Sequence, residues 1–107
     1  MWICFNDAFV SIVKDRQKKG NLLVRARREG HLKLFQGYGG KLTHTPRRDY
    51  HWRVSLPKHI VTQVVGYQVN SIDYDNFKDS VGDKALHNMY AIWWNDHHQY
   101  QGDTDAG

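Results

Sequence analysis

Cysteine is nearly absent from this 107-residue chain. Cys4 has no second thiol to pair with, which excludes an internal disulfide framework and fits a reducing cytoplasm, that of a bacterium or of a phage-infected cell. Its neighbours Trp2, Ile3 and Phe5 predict a buried, inert thiol. Long apolar runs are missing as well, and the N-terminus lacks the basic-then-apolar order of an export signal, so neither a membrane span nor secretion is expected.

Catalytic signatures are equally scarce. There is no G-x-S-x-G, and Gly37-Tyr38-Gly39-Gly40 has neither the spacing nor the following Lys-Ser/Thr of a P-loop. None of the seven histidines pairs at the i, i+4 spacing that aligns ligands on a helix, and adjacent His97 and His98 point apart. Surface histidines are expected, with Asp96 and His97 or His98 as a remote metal alternative. No cofactor is expected, and the chain reads more readily as a binding protein than as an enzyme.

What is present is an ordinary globular balance, 40% hydrophobic and 24% charged, too apolar for disorder and long enough for one core. Its charge is unevenly placed. Residues 1–58 hold 13 of the 15 Lys and Arg against Asp7, Asp15, Glu29 and Asp49, a net +9; residues 59–107 carry −5. Such asymmetry points to a polyanionic partner for the basic half, or to complementarity within the molecule.

Residues 1–5 and 9–13 are β-rich runs around Asn6-Asp7-Ala8, a hairpin pattern. After the charged turn Asp15–Asn21 with Gly20, residues 22–27 alternate, Leu22, Val24 and Ala26 on one face. A short helix is predicted at 31–36, stopped by glycines, then a second hairpin at 41–45 and 50–56 around Pro46-Arg47-Arg48-Asp49. Helical spacing follows Pro57, through Ile60, Val61, Val64, Val65 and Gln68. The clearest helix starts near Ser80 or Asp83 and carries Leu86, Met89, Tyr90, Trp93 and Tyr100. The expected architecture is a single α+β domain over residues 1–101: an antiparallel or mixed sheet of about five strands, with two or three helices packed on one face. Residues 102–107 are expected to form a disordered acidic tail.

If Leu22, Val24, Ala26, Tyr50, Trp52 and Val54 face the helices, then Arg25, Arg27, His51 and Arg53 share the other face. Arg28, Arg47 and Arg48 stand at its rim, offering guanidinium forks suited to phosphate or carboxylate. Three readings stand: a solvated face, a phosphate or nucleic-acid contact, and an acidic protein surface. Lys14, Arg16, Lys18 and Lys19 form a separate basic loop, for solubility or for tracking a backbone. The segment Asp73-Tyr74-Asp75-Asn76-Phe77-Lys78-Asp79 reads as a connector whose Tyr74 and Phe77 enter the core; alternatively Lys78, with His87 and Tyr90 from the next helix, meets an anion. Adjacent Trp93 and Trp94 must face different ways, which leaves Trp94, beside Ala91 and His98, as an exposed partner anchor or a covered ring.

Met1-Trp2-Ile3-Cys4-Phe5-Asn6 with Phe9-Val10-Ser11, then Val24-Arg25-Ala26-Arg27, Asp49-Tyr50 with Arg53, Asp73-Tyr74 with Asn76-Phe77-Lys78, and Leu86-His87 with Tyr90 and Trp94, span nearly the whole chain. Together they resemble a group of small bacterial and phage proteins of similar length, with no established activity. The departure lies at Gln36–Lys41, glycine-rich here and Pro-Gly followed by a strand in that group. The resemblance implies a free-standing domain, phage-borne, and no reaction. The function expected is therefore non-enzymatic binding of a nucleic acid or nucleoprotein, or of a host protein, as in a phage inhibitor of anti-CRISPR or host-takeover type. The rival is a small enzyme or binder acting on a phosphorylated ligand through Lys78, His87, Tyr90 and arginines.

Overall fold

Alternation decides the centre of the sheet. In β3 (Asn21–Ala26) Val24 and Ala26 are fully buried with Leu22 packed beside them, and in β5 (Trp52–Pro57) Val54 and Leu56 are buried on the same side. The two strands pair with Val24 opposite Val54 and Leu22 opposite Leu56, so their apolar side chains form one surface, as a period of two requires. The computed structural model describes residues 1–102. It flanks this pair with β1 (Trp2–Cys4), β2 (Phe9–Lys14) and β4 (Leu42–His44) in the order β1-β2-β3-β5-β4, every ladder antiparallel. With three helices the fold is α+β, and the sheet is antiparallel, not mixed. Apart from Gly102, the segment expected to be an acidic tail lies outside the described residues.

The chain forms two compact units, Met1–Asp73 and Tyr74–Gly107. The first holds the sheet, a 3-10 turn (Glu29–Leu32) running into α1 (Lys33–Gln36), and α2 (Lys58–Asn70). Leu32, Phe35, Val61 and Val64 join Val10, Ile12, Val24, Ala26, Val54 and Leu56 in one buried cluster, which puts α1 and α2 on one face. Burying each of the larger aliphatic and aromatic side chains there stabilises the fold by about 1.5–3 kcal/mol before entropy is counted. Pro57 ends β5 and caps α2, where its missing N–H leaves no helical bond unmade. Lys58 N donates to the carbonyl of Gly20, whose φ of 87° turns β2 into β3. Gly40 meets a different demand: a Cβ there would collide with the side chains of Val54 and Leu56.

The second unit has a 3-10 turn (Lys78–Ser80) and α3 (Lys84–Gln101). Asp83 caps α3 as expected, its Oδ1 accepting from Leu86 N at 2.9 Å. Tyr74, Phe77, Tyr90 and Trp93 follow one another as a chain of rings, with centroid separations of 6.0, 5.2 and 5.7 Å, so the connector is folded onto its own helix. Among the described residues no helix is long and apolar enough to cross a membrane.

Three expectations need correction. Cys4 is exposed, because in the edge strand β1 it is Ile3 that packs against the core, and the pleat turns Trp2 and Cys4 the other way. Tyr50 and His51 do not continue the β5 alternation. Thr45 N donates to His51 O at 2.6 Å and Thr45 Oγ1 to Tyr50 O at 2.9 Å, closing a turn that holds both residues ahead of the strand. Tyr100 is exposed, since the buried stripe of α3 is carried by Leu86 and Tyr90 and the last turns are polar.

At one end of the sheet Asp15 is buried and accepts from Ser55 Oγ at 2.5 Å and Gln17 N at 2.9 Å, while Asn21 Nδ2 donates to the same Ser55 oxygen at 2.9 Å. The Ser55 hydrogen bond first, then that from Gln17, holds the Asp15 carboxyl below its ordinary value of 3.8. A folded-state pKa below the unfolded one adds stability above the unfolded value and loses it as pH falls through the folded one. Ser55→Ala is expected to lower stability by about 1–2 kcal/mol at neutral pH, the difference shrinking below about pH 4, as read from denaturant titrations across pH. Gly40→Ala is expected to lower the urea midpoint by the equivalent of about 1–3 kcal/mol, the usual result of overpacking a filled core.

Candidate polyanion interface

The β3–β5 register that aligns the core also sets Arg25 directly opposite Arg53, on the face turned away from α1 and α2. Ser11 lies opposite Arg25 on the other side, and Thr43 opposite Arg53, so the four form a row across four strands. Like charges at directly opposed positions destabilise a sheet unless something separates or neutralises them. Here several groups do. Arg25 Nη2 donates to Ser11 Oγ at 2.7 Å, and Arg53 Nε to Thr45 Oγ1 at 3.1 Å. Both Arg25 and Arg27 lay their guanidinium carbons over the ring of Tyr50, 4.6 and 4.4 Å from its centroid.

Asp49 supplies the carboxylate. Its Oδ1 stands 3.6 Å from Arg53 Nη2 and accepts from Tyr50 N at 2.9 Å, while its carbonyl accepts from Arg27 Nη1 at 2.6 Å. The hydrogen bond from Tyr50 N holds its carboxyl below the ordinary 3.8; burial opposes this, and the charges of Arg25, Arg53 and Arg27 add to the lowering. For Arg53 the direction is also down: burial first, then the charges of Arg25 and Arg48, disfavour its charge, while Asp49 favours it; a guanidinium nonetheless stays cationic in proteins. Four guanidiniums, those of Arg25, Arg27, Arg48 and Arg53, thus act on a region paired with one carboxylate among the described residues. Arg25 Nε is buried and has no hydrogen-bond partner among the described residues.

The face is not bare, as the alternation alone would have left it. Phe9 and Ser11 are buried on it, Trp2 meets Phe9 edge-on at 5.7 Å, and the Arg53 side chain is 13% exposed. Arg28 beyond β3, and Arg47 and Arg48 in the β4–β5 turn, are exposed, and the charge of Arg48 reaches Arg53. His51 is exposed beside His44, 6.4 Å between ring centroids, and is not among the arginines. Tyr50, Asp49, Ser11 and Thr45 were not legible as part of this cluster. The turn sequence Arg-Arg-Asp-Tyr carried the one available signal, an Asp able to hydrogen-bond the backbone beside it.

In the second unit Lys78 Nζ sits 4.3 Å over the Trp94 ring, which also stacks on His98 at 5.2 Å with the planes 6° apart. Trp94 is 45% exposed. Tyr90 is buried against Phe77 and Trp93, and His87 is half-buried. The contact made here is therefore between Lys78 and Trp94. No group of three or more His, Cys, Asp or Glu side chains is placed to hold a metal ion among the described residues.

No family model, curated protein or solved structure matches the chain. What the cluster can do must come from its own chemistry: it offers several fixed or exposed cations.

Tyr50 is expected to act as the cushion of this cluster. Replacing it with Leu, similar in bulk but without a π-face, should cost about 1–3 kcal/mol, and Tyr50→Phe should cost less than half as much. Equal losses in thermal melting would assign the effect to the phenol hydroxyl, which both variants lack, and not to the π-face.

Proposed function

We propose that the chain is a non-enzymatic binding protein that grips the phosphates of a nucleic acid or nucleoprotein through Arg25, Arg27 and Arg53, with Arg28, Arg47 and Arg48 extending the contact outward. The observation that carries this reading is the in-register opposition of Arg25 and Arg53, with Arg27 and Arg48 nearby, against the one carboxylate, that of Asp49, paired with them among the described residues. Such a cluster is costly to assemble for the fold alone, whereas guanidinium forks are the side chains best matched to phosphate oxygens. Tyr50 is covered by its arginines and cannot stack on a base, so contact at this site is with backbone phosphates and independent of sequence. Trp94, exposed and paired with Lys78, is the natural anchor for a protein component. A phage-encoded inhibitor of a host nucleoprotein, of anti-CRISPR or host-takeover type, is the setting that the resemblance to small phage proteins suggests.

An enzyme acting through Lys78, His87 and Tyr90 is the weaker reading. Lys78 is engaged by Trp94, and Tyr90 is packed among rings.

Fluorescence anisotropy with single-stranded and duplex oligonucleotides tests the proposal. Affinity should fall steeply with salt, and Arg28→Ala, Arg47→Ala and Arg48→Ala should each weaken binding and reduce the slope of log K against log salt by about 0.7–0.9. Absence of binding to either form at low salt would remove the nucleic-acid reading.

A further inference from the structure

From the way Asp49 is held, we infer that it is a built-in competitor: a carboxylate occupying the seat that a nucleic-acid phosphate takes at Arg53. This inference rests on the polyanion reading above and adds to it a residue that sets the affinity.

The Asp49 side chain is 64% exposed, and its Oδ1 lies 3.6 Å from Arg53 Nη2. A charge-assisted bond between these groups closes to about 2.7–2.9 Å, so the pair attract without being locked. The strong bond of Asp49 Oδ1 is to its own neighbour, Tyr50 N, at 2.9 Å. Arg27 Nη1 is spent on the Asp49 carbonyl, not on its carboxylate. The carboxylate therefore neutralises part of the cluster from a loosely held, accessible position. Among the described residues no other carboxylate is paired with these arginines, and Arg25 Nε, buried one strand away from Arg53, lacks an acceptor.

A phosphodiester oxygen has the same charge as the carboxylate and a tetrahedral set of acceptors, so it can meet Arg53 Nη2 at full hydrogen-bond length. To do so it must displace Asp49 or share the seat with it, and like charges at that range repel. Asp49 thus weakens phosphate binding in proportion to how well it mimics it. The same turn carries Arg47 and Arg48, so the element that restrains the seat also presents the exposed cations that draw a backbone toward it.

The test is anisotropy of a labelled oligothymidylate with the full chain and three variants. Asp49→Asn keeps an oxygen for Tyr50 N and removes the charge; Asp49→Ser does so with a smaller acceptor, in case the first variant is poorly folded. Glu29→Gln is the charge-matched control, exposed on the 3-10 turn that belongs to the α1 side of the sheet. Asp49→Asn or Asp49→Ser is expected to tighten binding about 3- to 10-fold, and Glu29→Gln by less than about 2-fold. Equal tightening by all variants, or none by the Asp49 pair while the wild type binds, overturns the inference and leaves the polyanion reading intact. No binding by any of the proteins at low salt overturns both.

Discussion

Two arginines facing one another in adjacent strands impose most of what is unusual in this molecule. Arg25 and Arg53 are cross-strand partners because Val24 and Val54 are, and those valines cannot be moved from the core without a register slip that would reverse every side chain in β3 and β5. The core thereby dictates the position of the charges. Their repulsion is met locally by Ser11, Thr45, Tyr50 and Asp49, groups drawn from β2 and from the β4–β5 turn. That turn is more than a connector. It closes on itself through Thr45 and carries both the cushion and the counter-charge of the cluster.

The two faces of the sheet differ in the physics that holds them. On the α1 and α2 side the cluster is apolar, and stability there comes from close packing, down to Gly40, where no Cβ fits beside Val54 and Leu56. The opposite side is stitched by polar contacts at separate points. Asp15, Ser55 and Asn21 tie the β2–β3 turn to β5 at one end, and the arginine cluster occupies the region toward the other. Buried polar networks of this kind hold a unique geometry when fully satisfied, and the Nε of Arg25, unpaired among the described residues, marks the place where this one is incomplete there. Within the second unit, rings do the corresponding work: Tyr74 and Phe77 of the connector line up with Tyr90 and Trp93 of α3, and Lys78 is held by Trp94.

Sequence pattern was strong where one physical rule dominates. Period-two alternation located β3 and the body of β5, Gly20 marked the turn between β2 and β3, Pro57 marked the start of α2, and Asp83 marked the start of α3. It erred where a local hydrogen bond competes with the pattern. Tyr50 looked like a strand residue because it is two before Trp52, but Thr45 captures its carbonyl before the ladder begins. Cys4 looked buried because its neighbours are apolar, but in a three-residue edge strand only Ile3 faces the core.

For the candidate site the division runs along the same line. That Arg25 and Arg53 leave the core face together follows from the sequence alone, since alternation in two amphipathic strands admits no other choice. That they stand directly opposite, under the hydroxyls of Ser11 and Thr45 and beside one loosely held carboxylate, was decided by tertiary structure. Strand register, and the path of a turn that spans residues 45–51, depend on contacts between segments distant in the chain, which no local pattern encodes.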